Sequence, residues 1–169
     1  MIKKEKGFTL IEILFVIAII AVLAGLLIPT VGLVQNKARK GKAESMIQSL
    51  SVAVKMYQND FGLLPTSADF SGSNATTVLV QALGQRFIGS SAGNVGPYVE
   101  FKNKDLNGNQ IIDPWGNPYY YYGDDDNGAT GDAPYNNVYS FDIYSMGKDG
   151  STGSGSSAGD GSDDINNWS

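Results

Sequence analysis

An apolar run long enough to cross a membrane, broken by a single carboxylate, constrains this chain more than any other feature. The basic leader MIKKEKG ends at Gly7, Phe8 follows, and almost every residue from there to Val34 is apolar. Glu12 is the charged exception, and from Ile13 to Ile28 no residue is polar. About 20 such residues span a bilayer, so residues 8–34 are read as a membrane-spanning segment. A carboxylate at bilayer depth costs about 2.5–3.5 kcal/mol on insertion scales, and such groups tend to be functional. Glu12 therefore calls for a positive partner. Cleavage between Gly7 and Phe8 would create one, the new α-amino group of Phe8. One helix cannot fold Phe8 back onto its own Glu12 efficiently, so a neighbouring subunit would supply the amine. The segment reads as a polymerisation device as well as an anchor.

Two plainer readings account for less. A secretory signal has its cleavage site after the apolar core, whereas here the only good cut lies before it. A simple anchor explains the length but not Glu12. Charge does not set the orientation, because Lys3, Lys4 and Lys6 flank one side and Lys37, Arg39, Lys40 and Lys42 the other.

The string GFTLIEILFVIAIIAVLAGLLIP resembles the N-terminal segment of type IV pilins and type II secretion pseudopilins. The resemblance implies that a prepilin peptidase in the inner membrane cuts after Gly7 and N-methylates Phe8, and that Glu12 and Phe8 act in assembly. It also implies the leader in the cytoplasm and the rest of the chain outside.

The 169 residues suffice for one domain beyond the anchor. Losing the leader, with its three Lys and one Glu, takes the net charge from −5 to −7. No basic run points to nucleic acid. Cysteine and histidine are absent, which excludes disulfides, thiolate metal sites and the usual general base. Neither a G-x-S-x-G elbow nor a P-loop occurs, and the chain is not expected to be an enzyme.

Beyond the span, Val31, Val34, Ala38, Met46, Leu50, Val54 and Tyr57 recur mostly at helical spacing. One helix is predicted from Phe8 to Asn59, roughly 80 Å long, with a kink or unwinding near Gly25 to Pro29; two helices broken at Pro29 are the alternative. Asp60-Phe61-Gly62 and Pro65 end it. Residues 66–75 and 89–97 read as loops. Thr76–Phe87, preceded by Asn74 as a cap, reads as a second helix. Strands are predicted at Tyr98–Phe101, Pro118–Tyr122 and Val138–Met146. Trp115 and Trp168 are read as core groups, and the rings of Tyr119–Tyr122 as alternating between core and solvent. The fold class is α+β: a long N-terminal helix, membrane-spanning in its first half, packed on a small antiparallel sheet with a short second helix and a C-terminal calcium loop. Its divisions are a leader at 1–7, a span at 8–34 and a head at 35–169 that includes the second half of the helix.

Residues 102–169 hold eleven Asp against three Lys. Carboxylates, amides and backbone carbonyls are hard donors that suit Ca²⁺. Asp149 on one arm and Asp163 with Asp164 on the other flank a Gly/Ser-rich stretch, 150–162, that an ion could pin shut. Asp105, Asn107, Asn109 and Asp113 are spaced like the start of an EF-hand loop but with a displaced Gly and no Glu at position 12, so the stretch reads first as a solvated turn and only second as a weaker calcium candidate.

DPWGNPYYY, FDIYSMGKDG and DINNW, in that order, resemble the globular domain of the major pseudopilins of type II secretion. The resemblance implies one structural Ca²⁺ bound by the carbonyl of Met146, Asp149, Asp163 and Asp164. The inserted STGSGSSAGDGS departs from the family pattern and brings in Asp160 as a substitute. It further implies a homopolymer, with the prepilin peptidase, minor pseudopilins and an inner-membrane assembly platform as partners and the filament in the periplasm. A type IV pilin for adhesion, motility or DNA uptake, and a membrane-anchored calcium module that never polymerises, are the rival readings.

Overall fold

The computed structural model describes residues 7–65, 75–90, 93–123, 136–137, 140–151, 161 and 163–168. The chain divides into two units, Met1–Ala38 and Arg39–Ser169. Helix α1, Leu10–Phe61, begins in the first and ends in the second. It runs through Pro29 as helix, so neither a break nor an unwound turn interrupts it there. Proline forfeits one backbone bond, a local loss that a 52-residue helix absorbs. The helix stops at Gly62, whose φ of +77° is the left-handed cap conformation and whose N–H donates to Gln58 O at 2.8 Å.

In the first unit the large apolar side chains are exposed. Ile11 and Leu33 are each 74% exposed, and Phe15, Val22 and Leu26 about as much. By length and composition this stretch of α1 can cross a membrane.

In the second unit α1 becomes one-sided. Ala43, Ile47, Leu50, Val54 and Tyr57 recur every three or four residues and are all buried. They meet Leu79, Ala82 and Leu83 of helix α2 (Ala75–Gly84) and Ile111, Tyr119, Tyr121, Phe141, Ile143 and Ile165 from strands. Burying a side chain of this size is worth about 1.5–3 kcal/mol, so this face holds the head together.

Among the described residues the strands form three antiparallel pieces rather than one sheet. Strands β1 (Phe87–Ser90) and β2 (Gly93–Val95) make a hairpin where the end of the second helix and a loop were expected. Phe87 instead packs edge-on to Tyr57 and Phe61. No strand forms at Tyr98–Phe101. The N–H groups of Tyr98 and Val99 both donate to Leu83 O, at 2.8 and 3.2 Å, and so cap α2. Strands β3 (Leu106–Asn107) and β4 (Gln110–Ile111) form a second hairpin, turning at Gly108. Strands β5 (Tyr119–Tyr122), β6 (Asp142–Ser145) and β7 (Ile165–Asn166) make a three-stranded sheet in that order. Tyr119 and Tyr121 face the core, while Tyr120 and Tyr122 stack on Tyr144 outside it, as alternation requires. Trp115 packs against the core, and Trp168 sits edge-on to Tyr144.

Candidate functional site

Two places carry the polar chemistry. The first is the start of α1. Thr9 precedes the helix and Glu12 is its third residue, the T-x-x-E pattern of a capping box. The N–H and the hydroxyl of Thr9 both donate to Glu12 Oε2 at 2.8 Å, and the N–H of Glu12 donates to Thr9 Oγ1 at 3.3 Å. Glu12 thus has partners within its own chain, which reasoning from the apolar run alone overlooked. Helix N-terminal N–H groups and the positive end of the dipole favour a carboxylate at this position. Gly7 and Phe8 lie just outside the cap, both exposed.

The second place is the crossing of the two C-terminal arms. Residues 146–151 follow β6, and residues 163–164 precede β7. Asp163 joins the arms: its Oδ2 accepts from the N–H groups of Lys148 at 2.6 Å and Asp149 at 3.1 Å. Its Oδ1 is buried and accepts from no donor among the described residues. Asp164 Oδ2 accepts from Gly161 N–H at 2.6 Å, and Asp149 Oδ1 from Ser151 N–H at 2.9 Å. Met146 leads into the first arm. Among the described residues no three acidic side chains converge on one point. Backbone donors, not a carboxylate cage, close the arms as they stand. Asp160 lies outside the described residues.

Downstream, the side chain of Asn167 extends the ladder. Its Oδ1 accepts from Ile143 N–H at 2.9 Å and its Nδ2 donates to Phe141 O at 3.0 Å. This amide locks the second arm to β6, a role that no short-range pattern announces.

The EF-hand-like stretch is organised differently from an ion loop. Asn107 and Asn109 sit exposed at the tip of the β3–β4 hairpin. Asp105 is paired with Lys42 Nζ at 2.9 Å. Asp113 spends both oxygens inside the protein: Oδ1 accepts from Trp115 and Asn117 N–H, both at 2.9 Å, and Oδ2 from Ser145 Oγ at 2.6 Å. A hairpin puts the tip amides in solvent and turns the two flanking aspartates to protein partners.

Comparison with known proteins gives one answer at both ends. Residues 2–28 match the prokaryotic N-terminal methylation motif, and residues 31–168 match the family described as type II secretion system (T2SS), protein G. The type II secretion system core protein G of Pseudomonas aeruginosa is 31% identical over 98% of this chain and 96% of its own length. Its counterpart in Escherichia coli K12 is 33% identical, over 98% and 92%. That of Vibrio cholerae is 30% identical, over 98% and 93%. These matches favour the secretion pseudopilin over the type IV pilin, and a structural subunit over an enzyme. The chain belongs to the type II secretion system protein G family, that of the major pseudopilins.

Proposed function

We propose that the protein polymerises into a helical pseudopilus that drives folded proteins out of the cell. Before assembly, residues 8–34 hold it in the inner membrane, with the leader in the cytoplasm and the head in the periplasm. A prepilin peptidase cuts after Gly7 and methylates Phe8. The assembly platform and minor pseudopilins then draw the subunit into a periplasmic filament. The carrying observation is the apolar first half of α1, whose large side chains from Leu10 to Val34 are exposed. Lipid covers it first and the helices of other copies cover it afterwards. At its end stands Glu12, oriented by the Thr9 cap, where the Phe8 ammonium of the next copy would meet it and set the register. The test is filament recovery by shearing from cells that carry the matching secretion system. Wild type should give filaments. Glu12→Leu should give membrane-held protein without filaments, and an unchanged yield would overturn the assembly role.

The same reading gives the head one structural Ca²⁺, held by the Met146 carbonyl, Asp149, Asp163 and Asp164. Two observations support the fit. All the donors are oxygens, as a hard cation prefers. Asp163 Oδ1 is buried with no hydrogen-bond donor among the described residues, and a carboxylate oxygen in that state is costly unless a positive charge meets it. The ion would supply that charge and hold the arms together.

A further inference from the structure

The turn D-P-W-G-N-P reaches the crossing of the C-terminal arms through the side chains of Asp113 and Asn117. Asp113 first closes the turn on itself. Its N–H donates to Asn117 O at 2.8 Å, Gly116 N–H donates to its carbonyl at 3.0 Å, and its Oδ1 takes the N–H groups of Trp115 and Asn117. Its remaining oxygen, Oδ2, accepts from Ser145 Oγ at 2.6 Å, with both residues buried. Ser145 Oγ in turn accepts from Gly147 N–H at 3.1 Å. Asn117 Nδ2 donates to the Gly147 carbonyl at 2.8 Å. Both polar groups of Gly147 are therefore held by the turn, one directly and one through Ser145.

Gly147 is the point where the arms cross. Its φ is +66°, and a Cβ built there would collide with the Asp163 carbonyl oxygen and stand 2.8 Å from Asp163 Cγ. Only glycine lets the first arm pass so close to the second. The next two N–H groups, of Lys148 and Asp149, are those that Asp163 Oδ2 accepts. Farther along, Asn117 Oδ1 lies 3.3 Å from where a Cβ on Gly150 would stand. Asn117 thus approaches the first arm at both Gly147 and Gly150.

We infer that Asn117 and Ser145 are positioning residues: the turn holds Gly147 so that the Met146 carbonyl, Asp149 and Asp163 stand ready for the cation. The inference rests on the calcium reading above. A hard cation needs several oxygens at fixed distances, and groups that orient ligands from outside commonly set affinity by 10–100-fold. Asp163 Oδ1 stays buried only while the arms stay crossed, so the turn also keeps that oxygen in place to attract the ion.

The experiment uses full-length protein in detergent micelles, titrated calorimetrically with CaCl₂, together with hydrogen exchange of residues 146–151 in EGTA. Wild type should bind calcium. Asn117→Ala and Asn117→Leu, of which the second keeps the volume without the donor, should weaken binding about tenfold or more. Both should raise exchange at Gly147 to Asp149 in EGTA. Ser145→Ala should act in the same direction, and Ser145→Thr, which retains the hydroxyl, should restore affinity. A purely structural role would lower the melting point and leave the dissociation constant unmoved. Wild-type affinity in both Asn117 variants would overturn the positioning role and leave the calcium reading standing. A wild-type protein that takes up no calcium would overturn the calcium reading itself. In that case the exchange arm still decides: equal exchange at Gly147 to Asp149 in wild type and Asn117→Ala would remove the template as well.

Discussion

Lys42 Nζ lies 2.9 Å from Asp105 Oδ1, an ion pair 63 residues apart in sequence that ties α1 to the base of the β3–β4 hairpin. The two partners are unequal: the Lys42 side chain is 49% exposed and that of Asp105 8%. Losing Lys42 strands a buried carboxylate, whereas losing Asp105 returns a lysine to water. Lys42→Met should therefore cost about 2 kcal/mol and Asp105→Asn about 1 kcal/mol. Chemical denaturation of both variants checks the order. Equal losses would mean that the pair is screened by solvent like an ordinary surface bridge.

The reciprocal bonds of Thr9 and Glu12 make a two-part prediction. Glu12→Gln keeps an oxygen that accepts from Thr9 but removes the charge. Thr9→Ala removes the cap, at about 1 kcal/mol of helix stability, but keeps the charge. If Glu12 works in assembly through its charge, Glu12→Gln should lose filaments nearly as fully as Glu12→Leu, while Thr9→Ala should retain a reduced yield. Filaments from Glu12→Gln at wild-type level would reduce Glu12 to a helix cap.

Processing should leave Phe8 as the first residue, carrying a methyl group. Gly7 and Phe8 stand outside the capped helix and are exposed, so a protease can reach the bond between them without unwinding α1. Mass spectrometry of the N-terminal peptide from membrane-extracted protein checks this. Gly7→Ala should be processed slowly and Gly7→Val hardly at all. Finding Met1 in mature filaments would refute it.

What could be read from the sequence follows from the range of the interactions. The buried stripe from Ala43 to Tyr57 repeats every three or four residues, and the tyrosines of β5 alternate, so both were legible locally. Phe87 fits the same helical spacing after Leu83, but Gly84 ends α2 and the ring joins Tyr57 and Phe61 from a strand; periodicity alone cannot separate the two. Tyr98 and Val99 look like strand, yet their N–H groups are taken by Leu83 across a turn of chain. Asn107-Gly108 is a hairpin dipeptide, and an exposed hairpin tip is the form that the solvated turn takes here. The T-x-x-E of the cap was also readable, and the apolar run drew attention from it. The Asn117–Gly147 and Asn167–Ile143 bonds join distant segments, and no local pattern foretells them.

Calcium should stabilise the head through Asp163 above all. This carboxylate has two separable tasks: Oδ2 accepts from the N–H groups of Lys148 and Asp149, and the buried Oδ1 offers negative charge to an ion. Asp163→Asn keeps an oxygen for the backbone donors and removes the charge. It should therefore melt close to wild type in EGTA and lose most of the gain in CaCl₂. That gain is about 2.7 kcal/mol when free calcium is 100 times the dissociation constant, or about 10 °C for a domain of this size. Asp149→Ala should lose most of the gain as well, since a hard cation needs several carboxylate oxygens together. Asp105→Ala should keep it in full, because that side chain already has Lys42 as its counter-charge. Melting of full-length protein in detergent, with EGTA and with excess calcium, measures all four proteins. A wild-type melting point that calcium does not move would mean that the arms are held without an ion, by the hydrogen bonds of Asp163, Asn117 and Asn167.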